Sequence, residues 1–419
     1  MSAGGITRRD FAALTAAGLA VAGLPGVAFS GDRDPMFKIR TITAGVTLES
    51  LTDIAALRRA AGFLREARAA FEDAGHTVQT VRIATSPIAR LLPADPAQAT
   101  DAVVALDAAA REAGAVLALG PVMADDRDDP ALADWVAALS ARTEATSLSL
   151  PVVQQDRIAW RAVRTAGRIM AALAHASPDG QANFRFAAAA LVPPGTPFFP
   201  AAWHDGPDAF ALGLEAAPLV TDAVAGLSDP GAATGAIRSR LDSVLTPLAA
   251  QAAELADRTG WRFTGIDASP APGPDAGIAA AIEALSGRPF GAAGTLAACA
   301  AITEALKSLD APTCGYSGLM LPVLEDKLLA RRAAEGRFGV QDLLLYSSVC
   351  GTGLDVVPLP GDTPAETLAA LVGDVAALAL KYNKPLSARL FPIPGKAAGD
   401  AVDFPDTPFL TASRIMEAG

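Results

Sequence analysis

Seven side chains in this 419-residue sequence carry chemistry in a setting that could use it. Cys350 sits in SSVCGTGLDVVPLPGDTPAET, Ser347 to Thr367. A thiol there works as nucleophile or acid only if a nearby cation favours the thiolate; a lone buried cysteine is more often a small inert hydrophobe. His204, one of three histidines, follows the proline-rich VPPGTPFFP run beside Trp203 and Asp205. It is a candidate proton shuttle or ligand, although a single loop histidine is more commonly a surface residue. Asp267 ends the strand-like WRFTGIDASPAP and could act as base or ligand holder. Asp355 interrupts the apolar GLDVV, and Arg389 sits in SARLFPIP. Charges in buried strands are costly unless paired, so each is the other's natural partner, either as a structural pair or as a holder of an anionic substrate. Ser317, in CGYSGLMLP, stands at a strand-to-helix turn that lacks the G-x-S-x-G of a hydrolase elbow. Lys396, in PIPGKAAGD, offers a cation to an anion or is a solvated loop lysine.

Other chemistries lack their residues. CGTGLD carries G-x-G without the third glycine of a dinucleotide loop, and the tail lacks the GxxxxGK[ST] of a phosphate loop. No His, Cys or carboxylate spacing predicts a metal site, and no cofactor follows from any motif. Cys299, Cys314 and Cys350 are too far apart for a CxxC pair. An odd count leaves room for one disulfide, Cys314 to Cys350 foremost, in an oxidising compartment.

The elements that must position these groups alternate along the chain. Strand patterns cover KIRTITAGVTL, HTVQTVRIAT, AVLALG, SLSLPVV, NFRFAAAALV, FALGLEAA, WRFTGIDAS, TCGYSGLML, SSVCGTGLDVV and SARLFPI. Most are separated by a helix, such as Asp53 to Asp73 with Leu57, Ala60, Phe63, Leu64 and Ala67 at helical spacing. About ten strands alternating with helices predict one large α/β domain around a mainly parallel sheet. In PLPGDTPAET, Thr363 is expected to cap a helix, with Pro364 at its first position and Glu366 completing a capping box. The composition, 51% hydrophobic and 19% charged, excludes a disordered chain. A net charge of −11 without a basic stripe excludes a nucleic-acid partner.

The first thirty residues read as an address. Thr7-Arg8-Arg9-Asp10-Phe11 and a short apolar run, with small Ala28 and Ser30 before a cut, resemble a twin-arginine export signal. The expected organisation is a signal over residues 1–30 and a single domain over 31–419, delivered by the twin-arginine translocase to the periplasm or another exported location.

IRTITAGVTL, TSPI, PFFPAAWH, GIDASPAPGP, GYSGLMLPVLED, CGTGLDVVPLPGDTPAET and PGKAAGD occur in the order found in the family called domain of unknown function 711, a resemblance spanning roughly Lys38 to Glu417. It implies a fold similar to pyruvate formate-lyase, a ten-stranded α/β barrel built of two halves. The positions that match are His204, Asp267, Ser317, Glu325, Asp326, Cys350, Asp355, Arg389, Lys396 and Asp400. The terminal glycine motif of glycyl-radical enzymes is missing, so the resemblance implies non-radical chemistry. Ala292-Ala293 stands where relatives often carry a histidine. Two functions follow. One is an enzyme acting on a small anionic metabolite in the barrel mouth, as lyase, isomerase or hydrolase. Its catalytic groups would be Cys350, His204 and Asp267, and its substrate-binding groups Ser317, Asp355, Arg389 and Lys396. The other is a catalytically silent periplasmic binding or scaffold protein. Either allows a homo-oligomer.

Overall fold

In the computed structural model, residues 36–227, 229–273, 277–405, 407 and 409–419 are described; the twin-arginine segment lies outside them. Strand β1 (Lys38–Val46) leads into helix α1 (Ile54–Asp73), whose first turn is capped by the Asp53 carboxylate. The same alternation continues through β2 (Val78–Thr85), α2 (Thr100–Glu112), β3 (Val116–Pro121), α3 (Pro130–Ser140) and β4 (Thr146–Pro151). A short hairpin, β5 (Val153–Gln154) and β6 (Arg157–Ile158), precedes α4 (Trp160–Ala176) and β7 (Phe186–Ala190). Then come β8 (Ala209–Glu215), α5 (Ala217–Val224), α6 (Pro230–Thr259), β9 (Arg262–Ala271), α7 (Ala279–Ser286) and α8 (Thr295–Lys307). The last large elements are α9 (Lys327–Ala334), α10 (Val340–Ser347), β10 (Gly353–Pro360), α11 (Ala365–Tyr382) and β11 (Leu386–Ile393).

Nine strands form one mixed sheet in the order β10-β11-β7-β4-β3-β2-β1-β8-β9. The five central strands run parallel, as the helical crossovers require. Each flank carries a pair running the other way: β8 and β9 beyond β1, β10 and β11 beyond β7. One face buries Ile39, Ile42, Val46, Val81, Ile83, Leu117 and Leu119 in a single core with the helices.

The other face is lined by small residues because a segment of chain covers it. The loop from Val192 to His204 lies across β8, β1, β2 and β3. Gly213 meets the Phe198 ring, Thr43 Oγ1 donates to the Pro197 carbonyl at 2.9 Å, and Ala84 and Ala118 pack on Ala202. A Cβ on Gly45 would overlap the His204 imidazole. The proline-rich run is therefore packing on the inner face of the sheet.

The tenth expected strand, TCGYSGLML, is instead irregular. It is nevertheless hydrogen-bonded to both edge strands. Near β9, Ile266 N–H donates to Pro312 O at 2.9 Å and Cys314 N–H to Ile266 O at 3.1 Å. Near β10, Gly351 N–H donates to Leu319 O at 2.9 Å and Val323 N–H to Asp355 O at 3.0 Å. Bridge pairs at Ile266–Thr313 and Pro322–Asp355 are both parallel. Residues 347–352, expected as strand, close α10 and turn into β10. The Thr363 capping box does not form: its hydroxyl donates to Pro360 O at 2.6 Å, and α11 begins at Ala365 without a side-chain cap. Pro358 and Pro360 lie inside β10, which proline tolerates on an edge strand.

Two glycines of CGTG follow from this seam. The Gly351 and Gly318 backbones are in contact, so a Cβ on either collides with the other chain. Gly353 has φ +89° and faces the Ser387 carbonyl. Gly351→Ala is expected to lower unfolding free energy by about 1–3 kcal/mol in urea titrations and to speed exchange of the Gly351 and Val323 amides. A stability loss under about 0.5 kcal/mol with unchanged exchange would contradict this packing.

Candidate functional site

The expected Asp355–Arg389 pair is present and is larger than a pair. Arg389 Nε lies 2.5 Å from Asp355 Oδ1, and its Nη2 lies 2.6 Å from Glu325 Oε1. The guanidinium stands over the Phe184 ring at 5.2 Å. Burial would discharge this arginine, but the two carboxylates outweigh it and hold its pKa above the ordinary value. Burial pushes Asp355 up, with the Arg389 charge opposing.

Glu325 extends the network, reaching Arg40 Nη2 at 3.5 Å. Arg40 Nη1 donates to the Pro272 carbonyl at 2.9 Å and approaches Glu215 Oε2 at 3.6 Å. Glu215 also takes Lys38 at 3.4 Å and the Gln79 amide at 2.5 Å. Two strand irregularities make this meeting possible. The register of β1 on β8 shifts between Ile39 and Thr41, and that of β10 on β11 shifts between Leu354 and Val357. Arg40 and Asp355 sit in those shifts, where a bulge re-aims a side chain.

Arg82, on β2, is the unusual member. It has no hydrogen bond or salt bridge among the described residues, and its buried Nε has no partner. Its one close contact of this kind is the Phe199 ring, 5.4 Å from Cζ. Burial first, and the charge of Arg40 next, push its pKa down to about 9, while Glu325 opposes. A guanidinium beside two others and without its own carboxylate is a ready anion receptor.

The remaining expected residues have other surroundings. Asp267 is fully buried, and its carboxylate accepts four bonds: Tyr316 N–H at 2.8 Å, Ser317 N–H at 2.9 Å, Ser269 N–H at 3.1 Å and Ser269 Oγ at 2.6 Å. Burial raises its pKa against those donors. Asp267 thus ties the 314–318 turn to β9. Ser317, at φ +38°, donates to Cys314 O at 2.7 Å and accepts from Ala268 N–H at 3.2 Å. Cys350 is fully buried in the helix-side core with Cys299; all three cysteines are free. Lys384 Nζ reaches the carbonyl of Cys350 at 2.5 Å. His204 is buried at the opposite face, its Nε2 3.0 Å from Gly206 O, and no hydrogen bond joins it to Cys350. Lys396 is exposed on its turn. The structure thus brings together Asp355 with Arg389, and Asp267 with Ser317.

Arg40, Arg82 and Glu215 were not singled out from sequence. The signal used for Asp355 and Arg389, a charge inside a strand pattern, is also present in KIRTI, VRIAT and ALGLE. Among the described residues there is no cluster of three or more His, Cys, Asp or Glu that could hold a metal ion, and no helix long and apolar enough to cross a membrane.

The fold and this network define an α/β protein with a large mixed sheet and a charged interior. Residues 33–407 match the family described as Uncharacterised ACR (DUF711). A UPF0210 protein of Desulforudis audaxviator is 33% identical over 405 residues, 87% of this chain and 88% of that protein. One from Pyrobaculum aerophilum is 32% identical over 363 residues, covering 81% and 80%. One from Pyrobaculum arsenaticum is 37% identical over 253 residues, covering 58% of this chain and 55% of that protein. The chain belongs to the DUF711 family, to which it was likened on its motifs.

His204 generates a pH prediction. Burial pushes its pKa below the ordinary value of 6.5, so below that pH the unfolded chain takes up a proton that the folded one resists. Stability is fully present above about pH 6.5 and falls as pH drops, by at most about 1.4 kcal/mol per pH unit for one group. Thermal melts from pH 7.5 to 5 should show a flatter slope in His204→Gln than in wild type; equal slopes would show that His204 is not the group responsible.

Proposed function

We propose that this chain binds a small anionic metabolite at the inner charged cluster, with Arg82 as its direct ligand, and acts on it by non-radical chemistry. The observation that carries the reading is the Arg82 guanidinium, held on Phe199 without a carboxylate or hydrogen-bond partner among the described residues. Arg82 is partly buried, with its Nε out of contact with water; holding such a charge without a partner costs stability, and an incoming anion would offset that cost. Asp355 and Glu325, both bound to Arg389, are the carboxylates nearest to hand for proton transfer.

The same proposal takes the sheet as a ring of about ten strands, similar to the pyruvate formate-lyase barrel. Its support is the segment 312–323, hydrogen-bonded to β9 on one side and to β10 on the other. The charged cluster then lies inside the ring, at the carboxyl ends of β8 and β9 and the amino end of β1. Binding without turnover is a second reading, favoured by the burial of Cys350 among the helices and of His204 on the inner face.

The proposal extends to location and partners: the Arg8-Arg9 segment supports export through the twin-arginine translocase to the periplasm. Fractionation of the tagged full chain tests this, with Arg8→Lys plus Arg9→Lys expected to retain it in the cytoplasm; equal export of both would remove that reading.

Arg82→Met tests the site. Small anions should raise the melting temperature of wild type and leave the variant unmoved. Without ligand, the variant should melt about 2 °C or more above wild type, since it removes an uncompensated charge. Anion binding by wild type should weaken above about pH 9 as Arg82 loses its proton. Equal anion responses in the two proteins would discard Arg82 as ligand. Deuterium exchange from solvent into a bound ligand, followed by NMR, would separate turnover from binding.

A further inference from the structure

We infer that the ligand of this cluster is a monoanion bound through a single carboxylate, rather than a phosphate; the inference rests on the site reading above. Three observations carry it. The first is charge. Among the described residues of this ion-pair network, Lys38, Arg40, Arg82 and Arg389 face Glu215, Glu325 and Asp355, so four cations meet three carboxylates and one positive charge is in excess. A monoanion balances that excess. A phosphate dianion overshoots it, in a setting where Glu325 and Asp355 already supply negative charge.

The second is geometry. Arg82 Cζ lies 5.4 Å from the centre of the Phe199 ring, and no described residue bonds the Nε edge of its guanidinium. That edge is a planar fork matching the two oxygens of one carboxylate. Arg389 and Arg40 have their forks spent on Glu325, Asp355 and Glu215, so they set the local potential while Arg82 makes the contact.

The third is what the site lacks. Phosphate is commonly held by backbone amides at a helix start, and two helices begin close to Glu325, α7 and α9. Both starts are already taken by the neighbouring Asp326: one oxygen accepts from Leu328 N–H at 2.9 Å and Leu329 N–H at 3.1 Å, the other from Ala279 N–H at 3.0 Å. Gly277 is a glycine because a Cβ there would overlap that carboxylate. Adjacent acids of the LEDK turn thus divide the work. Glu325 serves the guanidiniums, and Asp326 closes the helix starts to any competing anion.

The test titrates the full chain with acetate, propionate and glycolate, and separately with inorganic phosphate and sulfate, at pH 7.5 by NMR and thermal shift. The carboxylates should bind at least about tenfold more tightly than phosphate. Arg82→Lys, which keeps the charge but loses the fork, should weaken carboxylate binding about tenfold while changing phosphate binding little. Arg82→Met should abolish both. If phosphate or sulfate binds more tightly than every carboxylate and Arg82→Met abolishes it, the carboxylate class is wrong and the site stands. If no anion binds wild type, or Arg82→Met binds as wild type does, the site itself is wrong.

Discussion

A buried guanidinium between two carboxylates organises the charged half of this protein. Arg389 cannot lose its proton at any ordinary pH, so the sheet must bring negative charge to it. Asp355 comes from the neighbouring strand β10 and Glu325 from the turn that follows the irregular segment between the sheet edges. Satisfying Arg389 therefore fixes the irregular pairing of β10 at Asp355 and Val356, and also the position of the 322–326 turn. Arg40 then shares Glu325 from across the interior. With these carboxylates committed, Arg82 is left, among the described residues, with an aromatic ring alone.

Other buried aspartates show what an acid looks like when its task is architecture. Asp107 accepts from Ala145 N–H at 2.8 Å and Thr146 Oγ1 at 2.7 Å, fixing the entry to β4. Asp267 gathers four donors and Asp326 caps two helices. Every one of these partners is a backbone amide or a hydroxyl, which no ligand has to supply. Asp355 and Glu325 differ because their partners are guanidiniums, which tie them into one charged network instead of a single backbone turn. Partner type, more than burial, separates the structural acids from those of the charged cluster.

Strand patterns exposed most of the architecture. Nine expected strands are present, β10 beginning at Gly353 where the sequence pattern began at Ser347, because β-branched and apolar runs on a two-sided buried sheet leave a plain signature. TCGYSGLML failed for a local reason: Gly315 must clear Asp267, and Ser317 adopts φ +38°, so the backbone cannot keep strand geometry. The site was half legible. An acid in GLDVV and an arginine in SARLF demanded each other, and they met. Arg40 and Arg82 made the same demand, but period-two alternation does not reveal a register shift or a loop returning to cover the inner face. His204 looked accessible because a proline-rich loop ordinarily is; here the loop packs into a surface of glycine, alanine and threonine.

The block CGTGLDVVPLPGDTPAET can now be divided by cause. Its cysteine fills the helix-side core, and its first two glycines let two backbones touch and one carbonyl pass. Its prolines sit where an edge strand needs no donor, and its threonine turns inward to a carbonyl. Among these residues only Asp355 reaches the charged cluster. The close approach of Gly351 to Gly318 sets the distance between β10 and the incoming segment, and that distance brings Glu325 and Asp355 onto one guanidinium. Glycine spacing in this block therefore acts on the site at one remove, through the separation of two chains rather than through a side chain of its own.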